Sequence, residues 1–385
     1  MHATVQKARG SQTRELGHAP IGRPAGMQIV LVLQGGGALG AYQAGVYQAL
    51  MEAGIEPDWI IGTSIGAINA ALIAGNAPRD RIARMRAFWD CVTHPHALDP
   101  WLPGALLGNA FANMNTLLRG VSGFFHLNPA AWWGPHIPLG VDRAGYYTTQ
   151  PLAETLRRLV DFDLLQQGKV RLTTGAVNVR TSEMRYFDSR DMALGPAHIM
   201  ASGALPPAFP AVAIDGEHYW DGGVYSNTPI EVVLDDNPRR NSLIFSVNLW
   251  QPAGPEPQTI WEVLARQKDI QYASRGRSHV ARQEQIHRLR HVVRELAKRI
   301  PEAQRDDPMV KELASYGCGT VMHLVRLLSP RLDGEDHTKD IDFTAAGIAS
   351  RWQAGHAHAQ RVLTERPWLQ AGDELQGIIV HESTN

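Results

Sequence analysis

Apolar residues fall along this chain in two kinds of run, and the kinds alternate. Met27 to Leu33 is aliphatic on both faces, as in a strand buried on both sides of a parallel sheet, and it leads straight into Gly35-Gly36-Gly37. Leu39 to Ala53 places Leu39, Val46, Leu50 and Ala53 at helical spacing and stops at Gly54. Trp59-Ile60-Ile61 is expected to form a second short strand, closed by Gly62-Thr63-Ser64-Ile65-Gly66 and a helix of small residues through Ala74. Strand, glycine turn and helix, twice over, is the layout of a right-handed α/β unit. Downstream, the pattern predicts a helix from Pro151 to Val160 and strands from Val170 to Val179, Met184 to Phe187 and Leu243 to Leu249. The expected fold class is therefore α/β, with a mostly parallel central sheet flanked by helices.

This rhythm holds from residue 27 to about 250, which is the expected catalytic domain, and it is broken once. Residues 92–147 are rich in Trp, Pro and Asn, follow neither periodicity, and are expected to form a cap or lid. After the linker Pro252-Ala253-Gly254-Pro255-Glu256-Pro257 the chain turns charged and helical. Residues 251–385 are thus expected to be a mainly helical C-terminal extension, with Ile286, Leu289, Val293, Leu296 and Ile300 as one apolar stripe. No internal repeat is present.

Charge and cysteine content narrow the classes. Thirty-seven Lys and Arg nearly cancel thirty-eight Asp and Glu, leaving no field to draw the chain onto nucleic acid, which is not an expected partner. Cys91 and Cys318 stand far apart with no ligand cluster, so no disulfide framework, metal or cofactor is expected, and a reducing cytoplasm fits best. Residues 1–26 mix Lys7, Arg9, Arg14 and Arg23 with Gly, Pro, Ser and Thr, lack an apolar core, and are expected to be a disordered tail, not a secretory signal. Trp59 to Pro78 and the stretch from Asp99 to Asp142 are sparsely charged, but polar residues and prolines interrupt both as membrane spans.

Three motifs carry candidate chemistry. Gly62-Thr63-Ser64-Ile65-Gly66 is a G-x-S-x-G pentapeptide between a predicted strand and helix, where Gly62 and Gly66 permit a strained turn that exposes the Ser64 hydroxyl. Gly35, Gly37 and Gly40 match the dinucleotide fingerprint G-x-G-x-x-G. That reading needs an acid at the end of the second strand, and here Gly62-Thr63-Ser64 stands there instead. The better reading is an oxyanion hole built from the N–H groups of Gly35, Gly36 and Gly37. The third motif is Asp221-Gly222-Gly223, preceded by a dense loop of small residues and prolines from Ala201 to Pro210.

Together these motifs resemble those of the patatin-like phospholipases, in order and at fitting spacing, over roughly residues 27 to 250. Gly35 to Gly40 resembles the family's glycine-rich oxyanion loop, Gly62 to Gly66 its nucleophile elbow and Asp221-Gly222-Gly223 its catalytic aspartate motif; Asn227 and Pro229 match as well. Many members carry Asp where Gln34 stands, and Arg or Lys where Leu39 stands. The resemblance implies a three-layer α/β sandwich and a lipid acyl hydrolase in which Ser64 attacks the acyl carbonyl and Asp221 takes its proton, with no histidine. A Ser-His-Asp triad using His126, His198 or His218 is the competing arrangement, and none of the three lies in a motif. Other substrates for the same fold are a soluble carboxylic ester or a thioester; a non-catalytic lipid-binding protein or a nucleotide-binding protein is a more distant alternative. The aromatic residues of the 99–142 segment, Trp132 and Trp133 among them, are expected to bring the chain into peripheral contact with membranes.

Overall fold

The structure, a computed structural model, describes residues 23–93, 116, 118–332, 335–370, 373 and 375–383. Most of the expected tail and residues 94–115 of the expected lid lie outside the described residues; Arg23, near the tail's end, pairs with Asp58 at 2.6 Å. The first half of the chain contains β1 (Gln28–Leu33), α1 (Ala41–Glu52), β2 (Trp59–Gly62), α2 (Ile65–Ala74), α3 (Arg81–Val92), a short hairpin of β3 (His126–Leu127) and β4 (Tyr147–Thr148), α4 (Gln150–Leu159) and α5 (Phe162–Gln166). There follow β5 (Arg171–Asn178), β6 (Met184–Asp188), α6 (Pro196–Ser202), β7 (Val212–Ile214), β8 (Glu217–Asp221), α7 (Glu231–Leu234) and β9 (Ser242–Asn248). The last third holds α8 (Ile260–Lys298), α9 (Pro308–Ser315), β10 (Met322–Leu328), α10 (Ala345–Glu365) and β11 (Ile378–Glu382).

Nine strands form one sheet, in which β11, β10, β9, β1, β2 and β5 run parallel in that order. Alternate residues of each strand face opposite sides. Ile29, Leu31, Leu33, Leu243 and Phe245 pack beneath α1, α2 and α10, and Val30, Val32, Ile61, Ile244 and Leu324 pack with α7 and Val280 of α8. Helix, sheet and helix make the three-layer sandwich.

Two features of the last third are not foreshadowed by the hydrophobic pattern. Although mostly helical, it contributes β10 and β11 to the central sheet, with β10 in register on β9 from Met322↔Ser242 to Leu328↔Asn248. The expected apolar stripe of α8 is not its buried face: Leu289 and Leu296 are 65% and 56% exposed, while Val280, Gln283, His287 and His291 are buried. Each of the three buried polar side chains finds a partner through one of its atoms. Gln283 Nε2 donates to Asp235, and the Nε2 atoms of His287 and His291 lie 3.2 and 3.0 Å from the carbonyls of Leu234 and Thr320.

Strand register brings the motifs together. Leu33 pairs with both Gly62 and Val247, so Gly35, Ser64 and Leu249, each two residues further on, emerge side by side at the carboxyl edge. Gly62 pairs with Thr174, which puts Ala176 level with Ser64; Ala176 in turn pairs with Asp221. One edge of β5 is occupied by β6, so β2 and the antiparallel β8 share the other, meeting head to head where Ser64 and Asp221 stand. The β7–β8 hairpin that delivers Asp221 turns on Asp215 and Gly216, both at positive φ (51° and 80°). That Asp-Gly dipeptide is the sequence signal for a tight hairpin.

Candidate active site

Ser64 sits between β2 and α2 with φ 57° and ψ −124°, a backbone conformation that non-glycine residues rarely adopt. Its surroundings hold it there. The Ser64 amide donates to the carbonyl and hydroxyl of Ser202 at 3.0 and 3.1 Å, and the Ser202 hydroxyl donates onward to the Gly175 carbonyl at 2.7 Å. A Cβ on Gly62 would run into the Gly66 carbonyl, and one on Gly66 into that of Leu33, so only glycine permits this tight crossing of strand and helix.

Ser64 and Asp221 line the same cavity, and the Asp221 carboxylate accepts the Gly223 amide at 2.7 Å. Asp221 is 2% exposed. Burial pushes its carboxyl up to about 7, against the pull of the Gly223 amide and the Ser64 hydroxyl, which favour the charged form. Gly222 packs against the Gly175 carbonyl at a distance that leaves no room for a side chain.

The glycine loop lies against this pair, and a Cβ added to Gly35 would stand 3.0 Å from that of Ser64. The Gly35 amide is already committed, donating to the Asn227 carbonyl at 3.2 Å. This revises the expectation that Gly35, Gly36 and Gly37 all present free N–H groups. Among the described residues no backbone carbonyl accepts from the amides of Gly36, Gly37 or Ile65, the last being the first residue of α2. Gly40 is packed on the Ile65 side chain and faces away from the cavity.

Several residues outside the three glycine motifs support the loop. Asn227 Nδ2 and Trp250 Nε1 donate to the Gly35 carbonyl at 3.1 and 2.7 Å. Gln34, fully buried, spends its amide on Thr228 and the Tyr272 carbonyl and accepts from the amides of Leu249 and Trp250. An acid in its place could not make the two donations. Leu39 is buried in the core under α1, not presented to the cavity.

Ser64, Asp221 and Gly35 to Gly37 line a cavity of about 180 Å³ whose other walls are mostly apolar, including Ile68, Phe124, Phe125, Phe209 and Phe343. Phe125, Tyr147 and Phe209 pack edge to face, with ring centres 5.0 to 6.2 Å apart. Among the described residues no histidine lines this cavity. His198 turns its Nδ1 to the Gly195 amide at 2.9 Å, and His126 and His218 lie elsewhere on the surface of the fold. Among the described residues no group of three or more His, Cys, Asp or Glu side chains is placed to hold a metal ion.

Comparison with known proteins matches residues 31–234 to the family model described as patatin-like phospholipase, and residues 270–375 to a second model described as patatin phospholipase. The chain is 28% identical over 209 residues to patatin-like phospholipase domain-containing protein ZK370.4 of Caenorhabditis elegans, covering 54% of this chain and 13% of that protein. It is 58% identical over 55 residues to lysophospholipase nte1 of Aspergillus terreus, 14% of this chain and 4% of that one. It is 49% identical over 67 residues to an uncharacterized NTE family protein of Mycobacterium tuberculosis, 17% and 12% of the two chains. The chain thus spans only a small part of the length of these curated relatives. Among solved structures, VipD from Legionella pneumophila aligns over 89% of this chain and 68% of its own, with a TM-score of 0.37 and 14% identity.

Proposed function

Because the chain belongs to the patatin-like phospholipase family, a family of lipid acyl hydrolases, we propose that it cleaves acyl esters of lipids with Ser64 as nucleophile and Asp221 as its general base. The observation that carries this reading is the strained Ser64 in the same cavity as a buried Asp221, whose carboxyl burial raises to about 7. A carboxylate in water is too weak a base for a serine hydroxyl; one desolvated to near neutrality is matched to the task. Ser64 Oγ attacks the acyl carbonyl carbon while its proton passes to Asp221, and the carbonyl oxygen becomes an oxyanion facing the Gly36, Gly37 and Ile65 amides. Each such donor contributes about 10² to 10³ in rate. The tetrahedral adduct collapses, the leaving alcohol takes the proton back from Asp221, and an acyl ester on Ser64 remains. Water then attacks that ester, giving its proton to Asp221, and a second collapse returns the proton to Ser64 and frees the fatty acid.

The apolar cavity accepts the acyl chain, and the exposed Trp132 and Trp133 beside its mouth support lipid at an interface as the substrate form. The test is labelling by a fluorophosphonate serine-hydrolase probe. Wild type is expected to label and Ser64→Ala is not, with acyl ester hydrolysis lowered on the order of 10⁴-fold or more. Labelling that survives in Ser64→Ala would remove Ser64 from the reaction.

A further inference from the structure

We propose that the strap Lys339 to Phe343 in the C-terminal third is a working part of the active site, with Asp340 and Lys268 as positioning residues for the glycine loop. The inference rests on the reading of Ser64 and the glycine loop above, and it extends the catalytic unit past residue 250.

Oxyanion donors act only if they are held in place before charge develops. The Gly36 and Gly37 amides are flanked by two anchors. On one side Gly35 is gripped by Asn227 and Trp250. On the other side the Ala38 amide donates to the Asp340 carbonyl at 2.9 Å, and this is the anchor the strap supplies. Gly37, at φ 57°, has that same carbonyl where a Cβ would stand, so the loop is shaped around the strap. Ile341 and Phe343 continue from it into the wall of the cavity.

The strap is gripped by one turn of α8. Lys268 Nζ donates to the Asp340 carboxylate at 2.7 and 2.9 Å and to the His337 carbonyl at 3.0 Å. Its chain neighbour Asp269 accepts from Lys339 Nζ at 2.9 Å, and both are buried. Two adjacent residues of the helix therefore hold two adjacent residues of the strap. The pairs differ in what they test. Removing Asp269 from the buried Asp269–Lys339 pair leaves Lys339 as an uncompensated buried charge and threatens the fold. The Lys268–Asp340 pair is partly solvated, and pairs of that kind contribute little to stability. Its place behind the oxyanion loop gives it a role that stability does not. Tyr272 lines the same cavity as Asp221 and Asp340 and is pushed up to about 12, by burial first and then by their carboxylates.

The experiment measures kcat and KM on a short soluble ester, together with inhibition by a trifluoromethyl ketone whose adduct with Ser64 places an oxyanion against the same amides. Lys268→Met and Asp340→Leu are each expected to lower kcat about tenfold or more with KM within about twofold, and to weaken the ketone by the same factor. Lys268→Arg is expected to keep most of the activity, and the Lys268→Met/Asp340→Leu double variant to be no worse than the poorer single, because the two act as one device. Should Lys268→Met fail to fold, Asp340→Leu keeps the backbone carbonyl but removes both the charge and the acceptor, and reads the effect on the loop. Unchanged kcat and ketone affinity in Asp340→Leu would overturn the proposal. So would losses that follow the unfolded fraction without the matching loss of ketone affinity. Failure of wild type to label with fluorophosphonate is a separate result that removes the nucleophile reading, and this inference with it.

Discussion

Asp221 carries two demands that oppose each other. As a buried carboxyl with its pKa raised from the ordinary 3.8 to about 7, it binds a proton more tightly in the folded than in the unfolded chain. Its contribution to stability is therefore fully present below about pH 4 and lost as the pH rises through about 7, where the native state must carry a buried charge. The proposed base must be ionised, so activity runs the other way. kcat/KM is expected to rise through about pH 7 and level off above it. Asp221→Asn is expected to abolish hydrolysis and also to remove this decline in stability, gaining on wild type at about pH 8 relative to about pH 5. Denaturant melts at the two pH values measure it. An Asn variant whose stability tracks that of wild type across the window would show that the carboxyl is not raised.

At the scale of elements, the helix after the glycine loop is held by a crossing of backbones. A Cβ on Gly45 of α1 would meet the Trp352 carbonyl of α10, and one on Gly355 would meet that of Tyr42. Side chains close the contact, with Tyr42 Oη 2.6 Å from His358 Nδ1 and Trp352 Nε1 donating to Gln48 at 2.7 Å. Gly355→Val is therefore expected to cost about 3 kcal/mol, at the upper end of overpacking, read as a lower denaturant midpoint at unchanged slope. A loss below about 0.5 kcal/mol, as for an exposed site, would show that the helices stand further apart. What the sequence revealed of these elements follows from how local their causes are. The strands and helices around Ser64 are written in period and glycine placement, and β1, β2, α1 and α2 stand where the pattern puts them. Strand β10 is interrupted by His323 and Arg326 within a charged, helical third, and β11 is only five residues long, so pairing with β9 decides their state. Ser202 lies in the small-residue loop before Asp221, and Asp340 in a C-terminal stretch, Lys339 to Phe343, that resembles an extension of some bacterial members; their roles, like that of Trp250, come from long-range contacts that the sequence does not announce.

On the whole molecule, the carboxyl edge of the sheet carries a surface that its charge does not explain. Trp132 and Trp133 are each 79% exposed on the turn Pro129–Trp133, which Asn128 caps by accepting the Ala130 amide at 3.1 Å. Trp132 and Tyr146 border a surface depression with Tyr147 and Ala208, and those two also line the cavity of Ser64. Exposed tryptophans beside an apolar cavity suit a lipid–water boundary, where the ring is buried and its N–H stays wet. With a net charge of −1, the chain has no long-range pull toward anionic lipid, so attachment through these rings should be reversible and should survive high salt. Among the described residues no helix is long and apolar enough to cross a membrane. Replacing Trp132 and Trp133 with Ala is expected to weaken liposome co-sedimentation about tenfold or more and to lower long-chain hydrolysis in step, because two large amphipathic rings leave the interface. Hydrolysis of a short soluble ester and the unfolding midpoint should stay near wild type, since neither ring is packed in the core. Equal loss of both activities would make the turn part of the catalytic scaffold and end the membrane reading. A wild type that ignores liposomes at every salt concentration would point instead to a soluble acyl ester or thioester as the substrate.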